Sequence, residues 1–447
     1  MKVNMNILSL AFFLSVLSVL ISTNVDAEMT GTWQHEWAQS TPFSEYKAQK
    51  FESVIEPEWQ DSIGDSDWTA RFRIRLDNET KLGSFDKRPN NYSSINGSVV
   101  SNEHAALSIR ELYFDGELYD QESLLDMEWR IGKQQVVWGQ ADGLKVLDIV
   151  NPQSYREFIL DQFEDSRIPL WMVNLTFIVG DNSTLQLLWI PDTTYHELAE
   201  SGSLYEVTSP ERTPFINPAP SQNVYLDAAD KPSKAFKDSD IGFRYKAFWN
   251  GWDVTFNYLH YYQDLQVFYQ ENTSAAIVIK PVYERSHLIG SSLSNVFGDV
   301  TLRAEIGYQT DTFHSARISN AGGINHHQEL SSVIGLDWQG FDETFISLQW
   351  FRSQLFSYSS STIRDETDQT MSFLVRKHFD NQTWKAEILS LHSLNHDDGL
   401  VRPKAAYFWL SNVEVWAGAD LFYGEKTGLY GQFDRNDRVV FGFEWGF

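Results

Sequence analysis

Cysteine is absent from this 447-residue chain, which excludes disulfide bridges and the common structural zinc sites. Long apolar runs are nearly absent too, because no stretch of about 20 apolar residues follows the first 27, and a membrane protein built from helices is therefore excluded. Basic residues are scarce: 35 Lys and Arg stand against 61 Asp and Glu, and the net charge is -26. This acidic balance argues against nucleic acid as a partner.

Recognisable catalytic motifs are also missing. No G-x-S-x-G sequence occurs, and His104, His260 and His287 lie near acidic residues without a local signature of a catalytic site. His326 and His327 are adjacent, so their side chains point apart in an extended chain and form no ready metal site. We therefore expect no enzymatic activity, no cofactor and no bound metal.

The N-terminus has the features of a secretory signal peptide. Lys2 supplies a positive start, residues 7–21 are apolar except for serines, and small residues at 25–27 offer a cleavage site. We expect residues 1–27 to be cleaved and residues 28–447 to form a single domain. Aromatic residues make up 15% of the chain, which is typical of a barrel with aromatic girdles at both membrane interfaces.

The C-terminal residues 438–447 read RVVFGFEWGF and are apolar at every second position. A period of two indicates a β-strand with one apolar face and one polar face. The same alternation recurs along the chain in segments 68–77, 125–132, 171–179, 185–189, 241–247, 300–308, 384–388 and 413–421. So many half-polar strands predict an all-β fold, a transmembrane antiparallel β-barrel with a polar lumen.

Short and long connections alternate between these strands. The short ones lie near 61–66, 119–123, 181–183, 249–251, 296–299, 339–343, 380–382 and 411–412. The long ones lie near 40–48, 78–104, 138–170, 191–238, 265–281, 311–327, 353–369, 393–402 and 423–437. This predicts short periplasmic turns, long extracellular loops and about 18 strands. Segments 50–60, 105–118 and 402–410 alternate weakly, and without them about 16 strands would remain.

Charged residues on the polar faces predict a wet lumen, since strand side chains alone cannot fill so wide a barrel. The predicted pore-lining residues are Arg71, Arg73, Arg75, Glu128, Arg130, Arg244, Lys246, Arg303, Glu305, Lys385, Glu387 and Glu444. Two interpretations stay open. The charges could pair across strands and stiffen the wall, or the arginines at 71, 73 and 75 could form a track for anionic or amphiphilic solutes.

The long connection at 138–170 contains much apolar sequence that must be buried somewhere. We expect it to fold into the lumen as a constriction, with a lid over the barrel mouth as the alternative. The residues predicted to form the constriction are Trp138, Gly139, Gln140, Asp142, Asp148, Asn151, Pro152 and Arg156.

Two sequence features carry a resemblance to known proteins. The run Gly132-Lys133-Gln134, Val136, Trp138-Gly139, followed by Asn151-Pro152, resembles a proteobacterial outer-membrane family catalogued as a domain of unknown function. The resemblance implies a β-barrel channel for hydrophobic or lipid-like molecules, often encoded beside an RND-type exporter. The terminal strand resembles the β-signal of Gram-negative outer-membrane proteins, which assigns the assembly signal to Phe443, Trp445 and Phe447.

These features together predict a passive channel in the Gram-negative outer membrane for amphiphilic, hydrophobic or anionic solutes. The expected partners are outer-membrane lipid and lipopolysaccharide, the barrel-assembly machinery and an RND-type exporter. The alternatives are a substrate-specific nutrient-uptake porin, a non-conducting surface receptor or adhesin, and an enzyme carried on a barrel.

Overall fold

A computed structural model describes residues 28–41, 47–79, 91–102, 104–119, 126–141, 143–317 and 322–447. The predicted signal peptide at 1–27 and the predicted constriction residue Asp142 lie outside the described residues. No helix in the described ranges is long and apolar enough to cross a membrane.

Long β-strands account for most of the described chain, and we number them β1 to β18 in chain order. They are β1 (Glu28–Ser40), β2 (Ala48–Ile63), β3 (Ser66–Asp77), β4 (Ala105–Leu118), β5 (Met127–Gln134), β6 (Leu170–Ile178), β7 (Ser183–Ile190), β8 (Asp240–Trp249), β9 (Trp252–Tyr262), β10 (Arg285–Phe297), β11 (Val300–Ser315), β12 (Ile324–Trp338), β13 (Thr344–Phe356), β14 (Thr367–Phe379), β15 (Trp384–Ser393), β16 (Asp398–Leu410), β17 (Val413–Tyr423) and β18 (Arg438–Gly446).

These strands form one closed wall. Each strand pairs antiparallel with the next, and β1 pairs with both β2 and β18, so that Trp33 lies opposite Trp445. Closure leaves no free sheet edge, which is what a sheet facing lipid requires. The predicted all-β antiparallel barrel of about 18 strands is confirmed.

The three weakly alternating segments are all part of the wall, so the alternative of 16 strands is wrong. In β4 a bulge lies at Arg110, because Arg71 lies opposite Glu111 while Phe72 lies opposite Ile109. One extra residue reverses the phase of the alternation, and Ile109 and Leu112 therefore face the same side of the wall. The sequence pattern breaks at the point where the structure inserts a residue.

Strands β2 and β16 alternate weakly for a different reason. Their lipid-side faces include Ser53, Pro57, Pro403 and Ala405 among the expected apolar residues. A second bulge lies at Trp409, since Phe408 and Leu410 pair with consecutive positions of β17. Both segments are hydrogen-bonded to a neighbouring strand on each side. This pairing places them in the wall although their own alternation is weak.

The connections alternate in length around the barrel as the sequence predicts. Turns such as 64–65, 250–251 and 411–412 lie at one end, which we call the short-turn end. The opposite, long-loop end carries short strand pieces at Val100–Ser101, Ser154–Tyr155, Glu197–Leu198, Asn223–Leu226, Val267–Asn272 and Ala276–Val282, a helical turn at Phe163–Ser166 and a 3₁₀ turn at Gly431–Phe433. Aromatic side chains at the short-turn end, such as Trp249 and Trp409, are exposed on the outside, as in an aromatic girdle.

We predict that Gly442→Ala weakens the strand pair that closes the barrel. A Cβ at this position would overlap the Trp416 indole and lie 2.7 Å from the backbone oxygen of His35, and such overpacking costs about 1–3 kcal/mol. Gly446→Ala is the matched control on the same strand, because its nearest neighbour lies 4.0 Å away. Urea unfolding followed by heat-modifiable gel mobility measures the difference, and equal midpoints for the two variants would contradict it.

Candidate functional site

The segment between β5 and β6, residues 135–169, leaves the wall and packs against its inner face; we call it the strap. The strap is first anchored on β11. The Glu305 carboxylate accepts hydrogen bonds from the backbone N–H groups of Gln140, Ala141 (3.0 Å) and Leu147 (3.3 Å). Arg303 donates to the carbonyl of Gln140. Two residues predicted to line the pore, Arg303 and Glu305, thus contact the segment predicted to form the constriction.

Apolar packing fixes the same half of the strap against β7 to β10. Trp138 and Leu147 are fully buried, and the Trp138 indole N–H donates to Gln186 Oε1 at 2.9 Å. The wall is built to receive them, because a Cβ at Gly242 would overlap Trp138 and one at Gly290 would overlap Leu147. This contact places a hydrophobic core inside the barrel, where the strand pattern alone predicts a polar face.

The second half of the strap reaches the opposite wall. Phe158 and Leu160 pack with Leu391, Leu400 and Phe422 of β15 to β17. Phe158 has a φ of 56°, which is a strained conformation for an aromatic residue. Because one end packs on β7 to β11 and the other on β15 to β17, the strap crosses the lumen.

Asn151 and Pro152 join the first residues of the strap to its last residues, where it leaves and re-enters the wall. The Asn151 side chain accepts a hydrogen bond from Val136 N at 2.7 Å and donates to Ile168 O at 2.9 Å. The carbonyl of Pro152 accepts from Ile168 N at 2.8 Å. The break that the sequence shows at this dipeptide is therefore the neck of the strap.

Ion pairs attach the crossing part of the strap to the wall. Lys50 Nζ lies 3.1 Å from Glu157 and 3.5 Å from Asp161, both on the strap. Arg438 contacts Glu157 at 3.2 Å and Asp420 of β17 at 2.7 Å. Buried charges of this kind are tolerated only when each finds partners, and removing one partner costs several kcal/mol. The terminal strand thus takes part in holding the strap.

A further strap cation completes this network. Arg156, one of the predicted constriction residues, lies 2.7 Å from Glu52 and 3.5 Å from Asp77. Asp148, another of them, lies 2.9 Å from Arg167 within the strap. Both residues therefore hold the shape and the position of the strap.

Each of the three arginines of β3 forms an ion pair with at least one carboxylate. The pairs are Arg71 with Glu58 and Glu111, Arg73 with Glu56 and Asp165, and Arg75 with Glu52. Sequence reasoning missed the facing row of glutamates on β2, although its period of two was visible at 52, 56 and 58. The pairing favours the interpretation that these charges stiffen the wall, and the role of the arginines as a solute track stays a prediction.

The other predicted pore-lining residues lie in the middle of the wall or toward its short-turn end. Arg244 donates to the strap carbonyl of Val137 at 3.0 Å. Lys385 pairs with Glu414 at 3.0 Å, and Arg376 pairs with Glu387 at 2.5 Å. Near the short-turn end, the remaining partners are Lys246 with Asp253, and Arg130 with Asp115, while Glu128 lies near the start of β5.

A cavity of about 1520 Å³ remains beside the strap. Of the residues predicted from sequence, it is lined by Arg73, Arg75, Lys385, Glu387, Glu444, Gly139, Gln140, Asp148 and Asn151. Apolar side chains share this lining, among them Phe313, Phe351, Leu374, Leu389 and Ile159. The structure therefore brings charged and apolar groups together around one space.

Buried titratable groups of the connecting segments face the same cavity. Burial lowers the pKa of His196 to about 3, so the ring is neutral at pH 7 and accepts a hydrogen bond from Gln153 N at 2.9 Å. Burial also raises the pKa of Asp264. It lowers the pKa of Lys145 to about 8, against the opposing effect of Asp148 at 3.1 Å.

The long-loop end is covered by contacts between separate loops. His396 lies 3.0 Å from Glu211, and the side chain of Gln432 accepts a hydrogen bond from Thr208 N at 2.7 Å. Burial alone would lower the pKa of His396, but the hydrogen bond and charge of Glu211 outweigh it and the pKa is raised. This contact joins loop 191–239 to loop 394–397.

One protein family matches most of the chain. Residues 31–437 match the model of a family described as "Protein of unknown function (DUF1302)". No curated protein matches the sequence.

Solved structures share the fold at low sequence identity. The outer membrane protein opdK from Pseudomonas aeruginosa is similar with a TM-score of 0.51 and 9% identity over 94% of this chain and 98% of that chain. Another structure from Pseudomonas aeruginosa, OccK1 (OpdK), gives a TM-score of 0.50 at 9% identity with the same coverage. The outer membrane channel DcaP of Acinetobacter baumannii gives 0.43 at 9% identity over 95% of this chain and 98% of that chain. Likenesses at this identity show the fold alone.

We predict that Glu305→Gln loosens the first half of the strap. The amide keeps one acceptor oxygen but turns an N–H group toward backbone donors, and hydrogen bonds to a charged acceptor are worth about 1.5–3 kcal/mol. Hydrogen exchange at Gln140, Ala141 and Leu147 should accelerate. Glu128→Gln is the control, because Glu128 lies away from the strap. Unchanged exchange in Glu305→Gln would show that the carboxylate does not hold the strap.

We predict that the contact between Glu211 and His396 weakens as pH rises. A raised pKa in the folded state stabilises the contact fully below about pH 6.5, the ordinary value for His. The stabilisation is lost as pH rises through the folded-state pKa. Limited proteolysis of segment 199–214 should accelerate between pH 6 and pH 8, whereas Glu211→Gln should be cut fast at both. Glu200→Gln should keep the wild-type pH dependence, and a flat wild-type profile would contradict the prediction.

Proposed function

We propose, from the premise that this chain belongs to the DUF1302 family of proteins of unknown function, that it is an outer-membrane channel for amphiphilic solutes. Passage through the lumen is passive and involves no catalysis. The observation that carries the proposal is the strap, which crosses a closed 18-strand barrel and leaves a lined cavity rather than a filled core.

The strap supports a channel because it narrows the lumen without replacing its polar interior. A barrel of this width is too wide to be filled by strand side chains. A single segment anchored at Glu305 on one side and at Lys50 and Arg438 on the other restricts the cross-section at one level. Selective permeation needs such a constriction, and the polar groups and charges that line it determine which solutes pass.

The lining supports amphiphilic solutes over simple anions. The β3 arginines are paired with glutamates, so their charge is largely compensated. Apolar groups such as Phe313 and Leu374 lie on the same cavity as Lys385 and Glu387. A solute with both an apolar and a polar part finds partners for both there, and the neutral His196 adds a polar contact without a charge.

The location and orientation follow from the same proposal. A closed antiparallel barrel with short turns at one end and long loops at the other is built like the barrels of bacterial outer membranes, which have their short turns in the periplasm. The proposal accordingly places the short-turn end in the periplasm. The assembly signal stays a prediction, assigned to Phe443, Trp445 and Phe447. The predicted partners are the barrel-assembly machinery, lipopolysaccharide and an RND-type exporter.

We predict stepwise conductance of the purified protein in planar bilayers, increasing severalfold when residues 140–165 are deleted, because the strap occupies the cross-section of the lumen. Glu157→Lys tests the same point without removing the hydrophobic contacts, since it places like charges beside Lys50 and Arg438. Deletion of 216–221, which lie in an exposed loop, is the control and should leave conductance unchanged. Absence of conductance in the wild type and in both strap variants would contradict the proposal.

We predict that removing the glutamates of the ion pairs between β2 and β3 and removing their arginines shift ion selectivity in opposite directions. Glu56→Gln with Glu58→Gln exposes the charge of the arginines and should shift the reversal potential in a KCl gradient toward chloride. Arg71→Gln with Arg73→Gln should shift it toward potassium. Lys377→Gln, at an exposed position on the lipid side of β14, should leave it unchanged. Identical reversal potentials in all four proteins would place the ion path away from β2 and β3.

A further inference from the structure

The wall is unusually low at β5 to β8. These strands have 8, 9, 8 and 10 residues, whereas β2 and β11 have 16. Eight residues rising about 3.3 Å each and tilted by about 40° cover only about 20 Å of height, less than the apolar band of about 25 Å on such barrels. The top of the lipid layer at this place therefore meets segments that are not strands of the wall.

The low wall creates a gap beside β4. Strand β5 pairs only with residues 112–118 of β4, and its last residue, Gln134, lies opposite Leu170 of β6. The upper part of β4, residues 105–111, has no partner from β5, and on that side only the short strand Val100–Ser101 pairs with it, at Leu107 and Ala106. We call the space above Gln134, between the upper part of β4 and the top of β6, the window.

The segment over the window is attached to β4 by the short strand Val100–Ser101, and toward β6 it is held by side-chain hydrogen bonds. The cover consists of residues 91–96 and 192–195. Asp192 accepts from Ser93 Oγ at 2.6 Å, Thr194 Oγ1 at 2.8 Å, Asn96 Nδ2 at 2.9 Å and Trp171 N at 3.1 Å. Asn96 Nδ2 also donates to the carbonyl of Pro169 at 2.8 Å. A segment attached to β6 by a few side-chain hydrogen bonds opens at lower cost than a paired strand.

Lys133 faces the lipid side of the wall beneath this cover. It pairs directly with Leu112 and with Trp171, so all three side chains share one face, and the Trp171 indole N–H donates to the cover carbonyl of Ile95 at 2.9 Å. Lys133 is only 5% exposed. Its Nζ donates to the carbonyl of Ile109 at 2.6 Å, which the bulge of β4 leaves beside it, and no Asp or Glu oxygen of the described residues lies within 4 Å.

A buried ammonium group with one carbonyl partner has two N–H donors left and no carboxylate in direct contact among the described residues. Such a group on the lipid side of a barrel lowers stability, and ionisable residues at membrane depth usually mark a functional site. Lys133 is the second-to-last residue of β5, which places it at the top of the low wall, about 5 Å below the head groups of the outer leaflet. The site needs an anion for the ammonium group and an apolar group for the surrounding lipid. A molecule with one anionic head and an apolar tail supplies both, because the head pairs with Lys133 and the tail stays in the bilayer.

We propose that the window is a lateral site at which the anionic head of a diffusing amphiphile binds Lys133 when the cover opens. The proposal rests on the proposed function and names the class of solute, an amphiphile with one carboxylate or phosphate head. It also names the route, between the bilayer and the barrel wall at β4 to β6. The ligand comes from the pool of passing solutes and not from a resident lipid A molecule.

The test uses a photoreactive derivative of hexadecanoate and the full-length protein in phosphatidylcholine nanodiscs. Wild type should be labelled on peptides containing Ile109 or Trp171, and hexadecanoate should compete while hexadecan-1-ol should not. Lys133→Met should lower labelling about tenfold or more, as expected for a hydrogen-bonded charge pair, and Lys133→Arg should retain most of it. Lys377→Met, a lysine on the lipid side of β14, is the matched control and should label as wild type.

A cysteine pair tests the cover, because the chain has no other cysteine. Ser93→Cys with Thr194→Cys should block labelling when oxidised and restore it when reduced, since both hydroxyls contact Asp192. Thr255→Cys with Ser292→Cys, whose hydroxyls are 2.8 Å apart on β9 and β10, should label equally in both states.

Equal labelling of Lys133→Met and wild type would overturn the proposal, as would equal labelling of the oxidised and reduced cover pair. Stronger competition by lipid A than by hexadecanoate would also overturn it in favour of a resident lipid. Ion conductance separates this outcome from the proposed function, because Lys133→Met and the oxidised cover leave the lumen untouched. Conduction without labelling removes only the window, and labelling without conduction removes only the channel.

Discussion

The structure depends on one constraint, which is that every backbone N–H and C=O group of a wall facing lipid must be paired within the wall. The chain meets it by pairing β1 with β18, so that the sheet has no free edge. Closing 18 strands has a consequence, because the ring is too wide for its own side chains to fill. The strap, its clamp at Glu305 and the remaining cavity all follow from that width.

Charge inside the barrel is arranged as pairs that hold the strap and the wall. Lys50, Arg438 and Glu157 link three parts of the chain that are distant in sequence, and the acidic row of β2 meets the arginines of β3 one by one. Such pairs contribute position more than net stability, since removing charges from water is costly. On the lipid side, the buried Lys133 has a carbonyl partner and no Asp or Glu oxygen of the described residues within 4 Å, and this is why it points to a ligand.

The strand alternation made most of the wall predictable. Residues 438–447 and their counterparts alternate with a period of two, and the alternation of short and long connections fixed the count near 18. The prediction was less clear at Arg110, where a bulge reverses the phase of the alternation. It was also less clear near Pro57 and Pro403, where proline and small residues interrupt the apolar face. It also missed Glu52, Glu56 and Glu58, because their role depends on the partner strand. The strap was predicted as a segment, but its contacts at Gly290 and Leu391 were not, since a linear pattern holds no distance across a lumen.

The sequence by itself determined what kind of wall this chain builds, because a period of two is a local property that each strand carries in its own residues. It also determined that segment 138–170 had apolar surface to bury. Only the tertiary structure decided where that surface goes, which charges pair, and where the wall is too low to span the apolar band. These depend on strand register and on contacts across the barrel, and both arise only when all 18 strands close.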